Sequence, residues 1–193
     1  MATQTIRLSE KNFIELARCE LRELMHEVRE LITDHDIYWK VQHVIQSNPR
    51  LLVARSAFFD TMNDSFAHSA AMRVRRIVDM DHRTISLLRL LKNLVDYPGL
   101  LGGQITMLDL ENDIRELEEA TNKIKNYTDQ FVAHHDRNPI ADTPLNRELN
   151  RSIETIERLF RRYFNMLMGV DIDLSVNYLE DPLAIFRYSW IKP

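Results

Sequence analysis

The stretch Asp129-Gln130-Phe131-Val132-Ala133-His134-His135-Asp136-Arg137-Asn138-Pro139 brings two histidines, two aspartates and an arginine together in the chain. Imidazole is the side chain that gains and loses its proton near neutral pH. At the C-terminal end of a helix, the exposed carbonyls favour its cationic form. A histidine held so, with a phosphate-binding arginine close by, can carry acid–base chemistry on an RNA phosphodiester. The same residues also fit a plain helix stop, with His134 capping carbonyls and Asp136 capping the following turn.

Other chemistry is more thinly signalled. Arg29 to His35 and Arg76 to His82 repeat an arginine–histidine spacing, but both histidines fall at expected helix junctions. Glu23-Leu24-Met25-His26 has the Glu-x-x-His form of a di-iron ligand pair, and a four-helix di-iron site needs two such pairs. There is no second copy, so Glu23 and His26 read as surface residues and no metal site is expected. Cys19, the single cysteine, excludes a disulfide within the chain and reads as a core residue. No phosphate-binding glycine loop, His-Glu-x-x-His or Gly-x-Ser-x-Gly motif occurs. Arg73-Val74-Arg75-Arg76 and Arg158-Leu159-Phe160-Arg161-Arg162-Tyr163 are the dense basic clusters. Helical periodicity divides each among several faces, so they read as solvated faces or as parts of a phosphate path.

The elements that must position these groups are helical. The chain has 193 residues, 45% of them hydrophobic, and a formal charge of −4, so contact with nucleic acid has to be local. With four glycines and six prolines it is poor in the turn residues that a β-sandwich requires. No apolar run reaches the roughly 18 residues of a membrane span, and residues 1–7 lack a signal-peptide core; a cytoplasmic protein with no membrane partner is expected.

Apolar spacing of three and four predicts a helix from about Ser9 to Thr33, through Phe13, Leu16, Ala17, Leu21, Leu24, Val28 and Leu31. A shorter helical stretch, Ile37 to Ile45, follows. Asn48-Pro49 then caps and starts a helix reaching about Met80, with Phe58, Met62 and Phe66 on its inner side. Thr84–Val95 is a further helix. Three of the four glycines fall in Tyr97–Gly103, the strongest break. A long helix runs from Thr106 to about His134, with Leu108 and Leu117 in its stripe, and another from Thr143-Pro144 to Gly169. The architecture expected is an all-α, up-and-down bundle over residues 1–168. A less regular tail, 169–193, would pack on the bundle or a partner, with a short helix after Pro182 and with Trp190 near its end.

Phe131-Val132-Ala133-His134-His135-Asp136 at the end of a long helix resembles the Ala-His-Arg-Asp signature of HEPN domains. Arg76-Ile77-Val78-Asp79 and Thr84-Ile85-Ser86-Leu87-Leu88-Arg89-Leu90-Leu91, ahead of the glycine-rich loop, are similar to the abortive-infection AbiU-like branch of that superfamily. The resemblance implies an HEPN-like bundle that forms a homodimer, bringing two Arg-polar-x4-His motifs together as a metal-independent ribonuclease without a cofactor. His134 and Asp129 match the histidine and the polar position as catalytic residues. The arginine position is Thr128, so a cation must come from elsewhere. Arg137 and Arg76 are the candidates, with His135 and Asn138 as further phosphate contacts. The setting implied is phage defence or a toxin–antitoxin pair, with RNA, an antitoxin or another protein as partner. The alternative is an inactive HEPN-like protein that binds a nucleotide, RNA or a protein.

Overall fold

The computed structural model describes residues 8–53, 57–103, 105–132, 144, 146–175, 178 and 180–187. They form helices α1 (Glu10–Ser47), α2 (Pro49–Val53), α3 (Ala57–Ile77), α4 (Leu87–Leu94), α5 (Met107–Tyr127) and α6 (Asn146–Met168), and no strand occurs among them. Short 3₁₀ turns cover Pro98–Leu101 and Ala184–Arg187, the latter just after Pro182.

Helices α1, α3, α5 and α6 pack in a ring, each against the next, with α6 closing back onto α1. Cross-links fix their directions. Arg73 of α3 meets Glu27 and Glu30 of α1 while Gln42 meets Asn63, so these two helices run antiparallel. Ser152 and Arg158 of α6 reach Ala120 and Glu116 of α5 in the same opposed sense. Arg18 and His35 of α1 likewise bond Leu167 and Asn150. The result is the expected up-and-down bundle, with α4, which follows α3 in the chain, packed on α1 and α5.

Local chemistry explains several boundaries. The Ser9 hydroxyl accepts from the Asn12 amide, and Asn48 accepts from the Arg50 amide with Pro49 at the first turn of α2. Thr106 and Asp109 form a reciprocal capping box at the start of α5. Gly169, at φ 72°, ends α6 in the left-handed region that suits glycine. Past it the chain returns over the bundle: Ile172 and Leu174 are buried, Arg161 and Arg29 donate to the carbonyls of Ile172 and Asp173, and the Tyr178 hydroxyl donates to Asp36 at 2.5 Å.

Elsewhere the structure departs from expectation. The first helix does not end at Thr33; α1 runs on as one rod of 38 residues, about 57 Å long. No glycine or proline interrupts it, and its polar junction residues Asp34, His35 and Asp36 find partners. Asp34 lies 3.3 Å from Arg73, Asp36 lies 2.7 Å from Lys40, and His35 bonds Asn150 at 3.0 Å. Cys19 is exposed rather than core, because at about 100° per residue it sits roughly 200° round the helix from buried Ala17. Leu16, Phe58 and Leu108 are exposed as well. Phe58 lies in the first half of α3, where no described side chain before Ala70 is buried.

Candidate functional site

Helix α5 ends in an unusual way. Thr128–Val132 continues it as a π-helical turn, the wider winding that tends to occur at functional positions. Thr128 is fully buried, and its hydroxyl donates to the Ile124 carbonyl at 2.7 Å. The position that would hold the motif arginine is therefore part of the core. The next residue, Asp129, is only partly covered, and a cation sits on each of its oxygens. Arg75 of α3 donates through Nε to Oδ1, and Lys125, one turn back on α5, donates to Oδ2 at 3.1 Å.

Arg75 is held from its other side too. Its Nη1 lies 3.2 Å from Asp79 Oδ2. The Asp79 carbonyl in turn accepts from the Ser86 hydroxyl, and that same hydroxyl caps α4 by accepting from the Arg89 amide. Arg89 spans the turn between the two helices, donating to the His82 carbonyl at 2.8 Å and to Glu20 of α1 at 2.8 Å. The stretch from Arg76 to Leu91 that carried the family resemblance thus builds the support beneath Arg75.

Burial raises the pKa of the Asp129 carboxyl. The hydrogen bonds and charges of Arg75 and Lys125 outweigh it, and the net direction is downward. Asp129 is therefore an anion that fixes two cations rather than a proton acceptor near pH 7. Two turns before Arg75, His68 lies 3.2 Å through Nε2 from the Tyr127 hydroxyl, with the two rings stacked at 6.4 Å. Beside Lys125, an open cavity of about 450 Å³ runs between α5 and the start of the α3–α4 connection, lined among others by Val78, Met80, Glu118 and Asn122.

Of the residues expected at the site, Asp129 lies at its centre and Arg76 does not join it. Arg76 faces α1, 3.5 Å from Glu27, because adjacent helical residues point about 100° apart. His134, His135, Arg137 and Asn138 lie outside the described residues, as does Trp190. The sequence names Arg75 only as part of a basic cluster and does not single out Lys125, His68 or Tyr127. Two spacings carried a signal, since Lys125 precedes Asp129 by one turn and Arg75 precedes Asp79 by one turn. Glu23 and His26 are exposed, and among the described residues no three His, Cys, Asp or Glu side chains converge as a metal site would need.

Fold and site together define an all-α bundle protein with a cation–carboxylate centre where a long helix changes its winding. A family model described as AbiU2 matches residues 18–176, a span that runs from the first turns of α1 past the end of α6. The chain belongs to this AbiU2 family, an abortive-infection branch of the HEPN superfamily. No curated protein and no solved structure matches it. No helix among the described residues is long and apolar enough to cross a membrane.

Proposed function

We propose that this protein is a metal-independent endoribonuclease of the abortive-infection type, acting as a homodimer, in which Arg75 supplies the cation missing at Thr128. The supporting observation is the Arg75–Asp129 pair: a guanidinium from α3 is fixed at the end of α5, a few residues before His134. In such a reaction the ribose 2′-hydroxyl loses its proton and attacks the adjacent phosphorus, the P–O5′ bond breaks, and the 5′-oxygen leaves as a protonated hydroxyl beside a 2′,3′-cyclic phosphate. A general acid–base group moves the protons, and a cation stabilises charge growing on the phosphate oxygens. His134 is assigned the proton transfers. Arg75 is assigned the phosphate, since its fork of donors can bind carboxylate and phosphate oxygens together. Asp129 and Asp79 keep it oriented, and Lys125 adds a second positive charge.

The experiment is cleavage of an end-labelled, unstructured RNA in EDTA by the wild type, His134→Ala and Arg75→Ala. Loss of about 100-fold or more is expected for either variant, the scale of removing one transition-state charge partner. Cleavage unchanged in Arg75→Ala would remove that residue from the mechanism. A wild type inert on RNA would favour a second reading, a non-catalytic protein that binds a nucleotide, RNA or an antitoxin-like partner. The burial of Thr128 supports that reading, since the arginine of the motif is replaced by a residue folded into the core.

A further inference from the structure

The basic cluster near the end of α6 takes no part in the Asp129 centre, and the structure arranges it differently from the sequence expectation. Leu159, Phe160 and Tyr163 turn fully inward, while Arg158, Arg161, Arg162 and Asn165 line one cavity of about 370 Å³. Their spacing of three, four and seven places them on a single helical face. Among the described residues lining the cavity, three arginines stand against one acid, Asp171, in a chain whose formal charge is −4.

The arginines are held in place unequally. Arg162 donates through Nη1 to the buried Asp113 at 2.8 Å, a partner that cannot swing away into water. Arg161 donates through Nη1 to the Ile172 carbonyl at 3.1 Å, which orients the guanidinium without neutralising it. The remaining contacts are solvent-facing ion pairs: Arg158 with Glu116 at 2.6 Å, and Arg161 with Glu157 at 3.1 Å. Such pairs contribute only about 0–1 kcal/mol. Each guanidinium has five N–H donors, and charge-assisted bonds to phosphate are among the strongest available to it. An incoming phosphate can therefore displace Glu116 and Glu157, while Asp113 and the Ile172 carbonyl keep two of the three arginines aimed.

We propose that this cleft binds the phosphate groups of a small phosphorylated molecule, at a site separate from the Asp129 centre. The volume lies near the lower end of the roughly 300–1,000 Å³ of small-ligand pockets. Ile105 and Met166 give it an apolar wall, and among the described residues no aromatic ring lines it. A single-stranded nucleic acid groove combines its positive charge with aromatic platforms for successive bases, so a compact ligand fits the lining better than a strand.

Inorganic pyrophosphate, titrated calorimetrically into the full-length protein, is the probe. Saturable binding that weakens with added salt is expected. Arg158→Glu should weaken it at least tenfold, and Glu116→Gln should tighten it several-fold by releasing Arg158 from its competitor. Both side chains are about half exposed, and matching circular dichroism spectra and urea midpoints check that each variant is folded. Absence of saturable binding overturns the proposal, as does binding indifferent to both substitutions. Binding of a single-stranded RNA decamer that Arg158→Glu abolishes, with none of pyrophosphate, overturns it in favour of a strand path.

Discussion

Helix α5 and the π-helical turn that continues it carry two aspartates, Asp113 and Asp129, that each hold an arginine from a neighbouring helix, and their surroundings differ in kind. Asp113 is buried, and one of its oxygens accepts both Arg162 Nη1 at 2.8 Å and the Tyr163 hydroxyl at 2.9 Å. Burial, then the hydrogen bond to Asp113 and its charge, drive the Tyr163 pKa upward, so this hydroxyl stays a donor at any ordinary pH. Asp129 is nearly a third exposed at its side chain and takes one cation on each oxygen. The first arrangement spends its hydrogen-bonding capacity on holding α5 to α6. The second leaves arginine and lysine donors beside solvent, where a ligand can reach them. Similar residue types thus give a buried clamp that also aims Arg162 at one end of α5, and a solvent-facing candidate site at the other.

The largest expected effect breaks the clamp. Asp113→Ala leaves a buried hydroxyl and a partly buried guanidinium without their shared acceptor, a loss of about 3–5 kcal/mol by analogy with other buried ion pairs. Asp129→Ala should cost under about 1 kcal/mol, as exposed pairs do, while abolishing RNA cleavage if Arg75 depends on it for orientation. Urea denaturation of the two variants beside the wild type makes the comparison. Equal losses of stability would erase the distinction between clamp and site.

Thr128→Arg sharpens the contrast from the other side. Restoring the arginine of the family motif looks like a repair when read from the sequence. In the structure it forces a charged side chain into a fully buried position and removes the hydroxyl bonded to Ile124. A destabilisation of about 3 kcal/mol or more is expected, read as a lowered thermal midpoint with no gain of cleavage. A folded and more active Thr128→Arg protein would show that the π-helical turn can re-register to present this position to solvent.

Much of the fold was legible because its signals are local. Ser9, Asn48-Pro49, the Thr106–Asp109 box and Gly169 act within a turn of the ends they mark. The i, i+3 and i+4 spacing of Leu149, Ile153, Ile156, Phe160 and Leu167 identified the buried face of α6 directly. The failures share a different origin. Thr33-Asp34-His35-Asp36 looks like a break until Arg73, Asn150 and Lys40 are seen to satisfy its side chains, and two of those three lie on other helices. Whether Arg75 or Arg76 meets Asp129 depends on the rotation of α3 against α5, a tertiary quantity with no local signature. The divided appearance of Arg158–Tyr163 was an error of grouping, since only Leu159, Phe160 and Tyr163 in that run belong to the buried face.

The smallest expected effect concerns pH and belongs to Asp129 alone. Its folded-state pKa lies below the ordinary carboxylate value, because the attraction of Arg75 and Lys125 exceeds the burial penalty. A carboxylate shifted this way contributes its full stabilisation above its unfolded pKa of about 3.9. That contribution disappears as pH falls further, through the folded value. Asp79 also faces Arg75, so Asp129 is not the guanidinium's sole carboxylate partner. Glu20 and Asp34 act in the opposite sense: burial raises their pKa values, so ionising them as pH rises through the carboxylate range reduces stability. The stability of the wild type alone therefore mixes the two signs. The difference in urea midpoint between wild type and Asp129→Asn isolates one of them. It should be constant from about pH 7 to pH 5 and shrink toward zero below about pH 4. A difference that stays flat across that range would mean Asp129 holds its cations no more tightly in the folded protein than in the unfolded chain, and the solvent-facing end of α5 would lose its claim to a preorganised site.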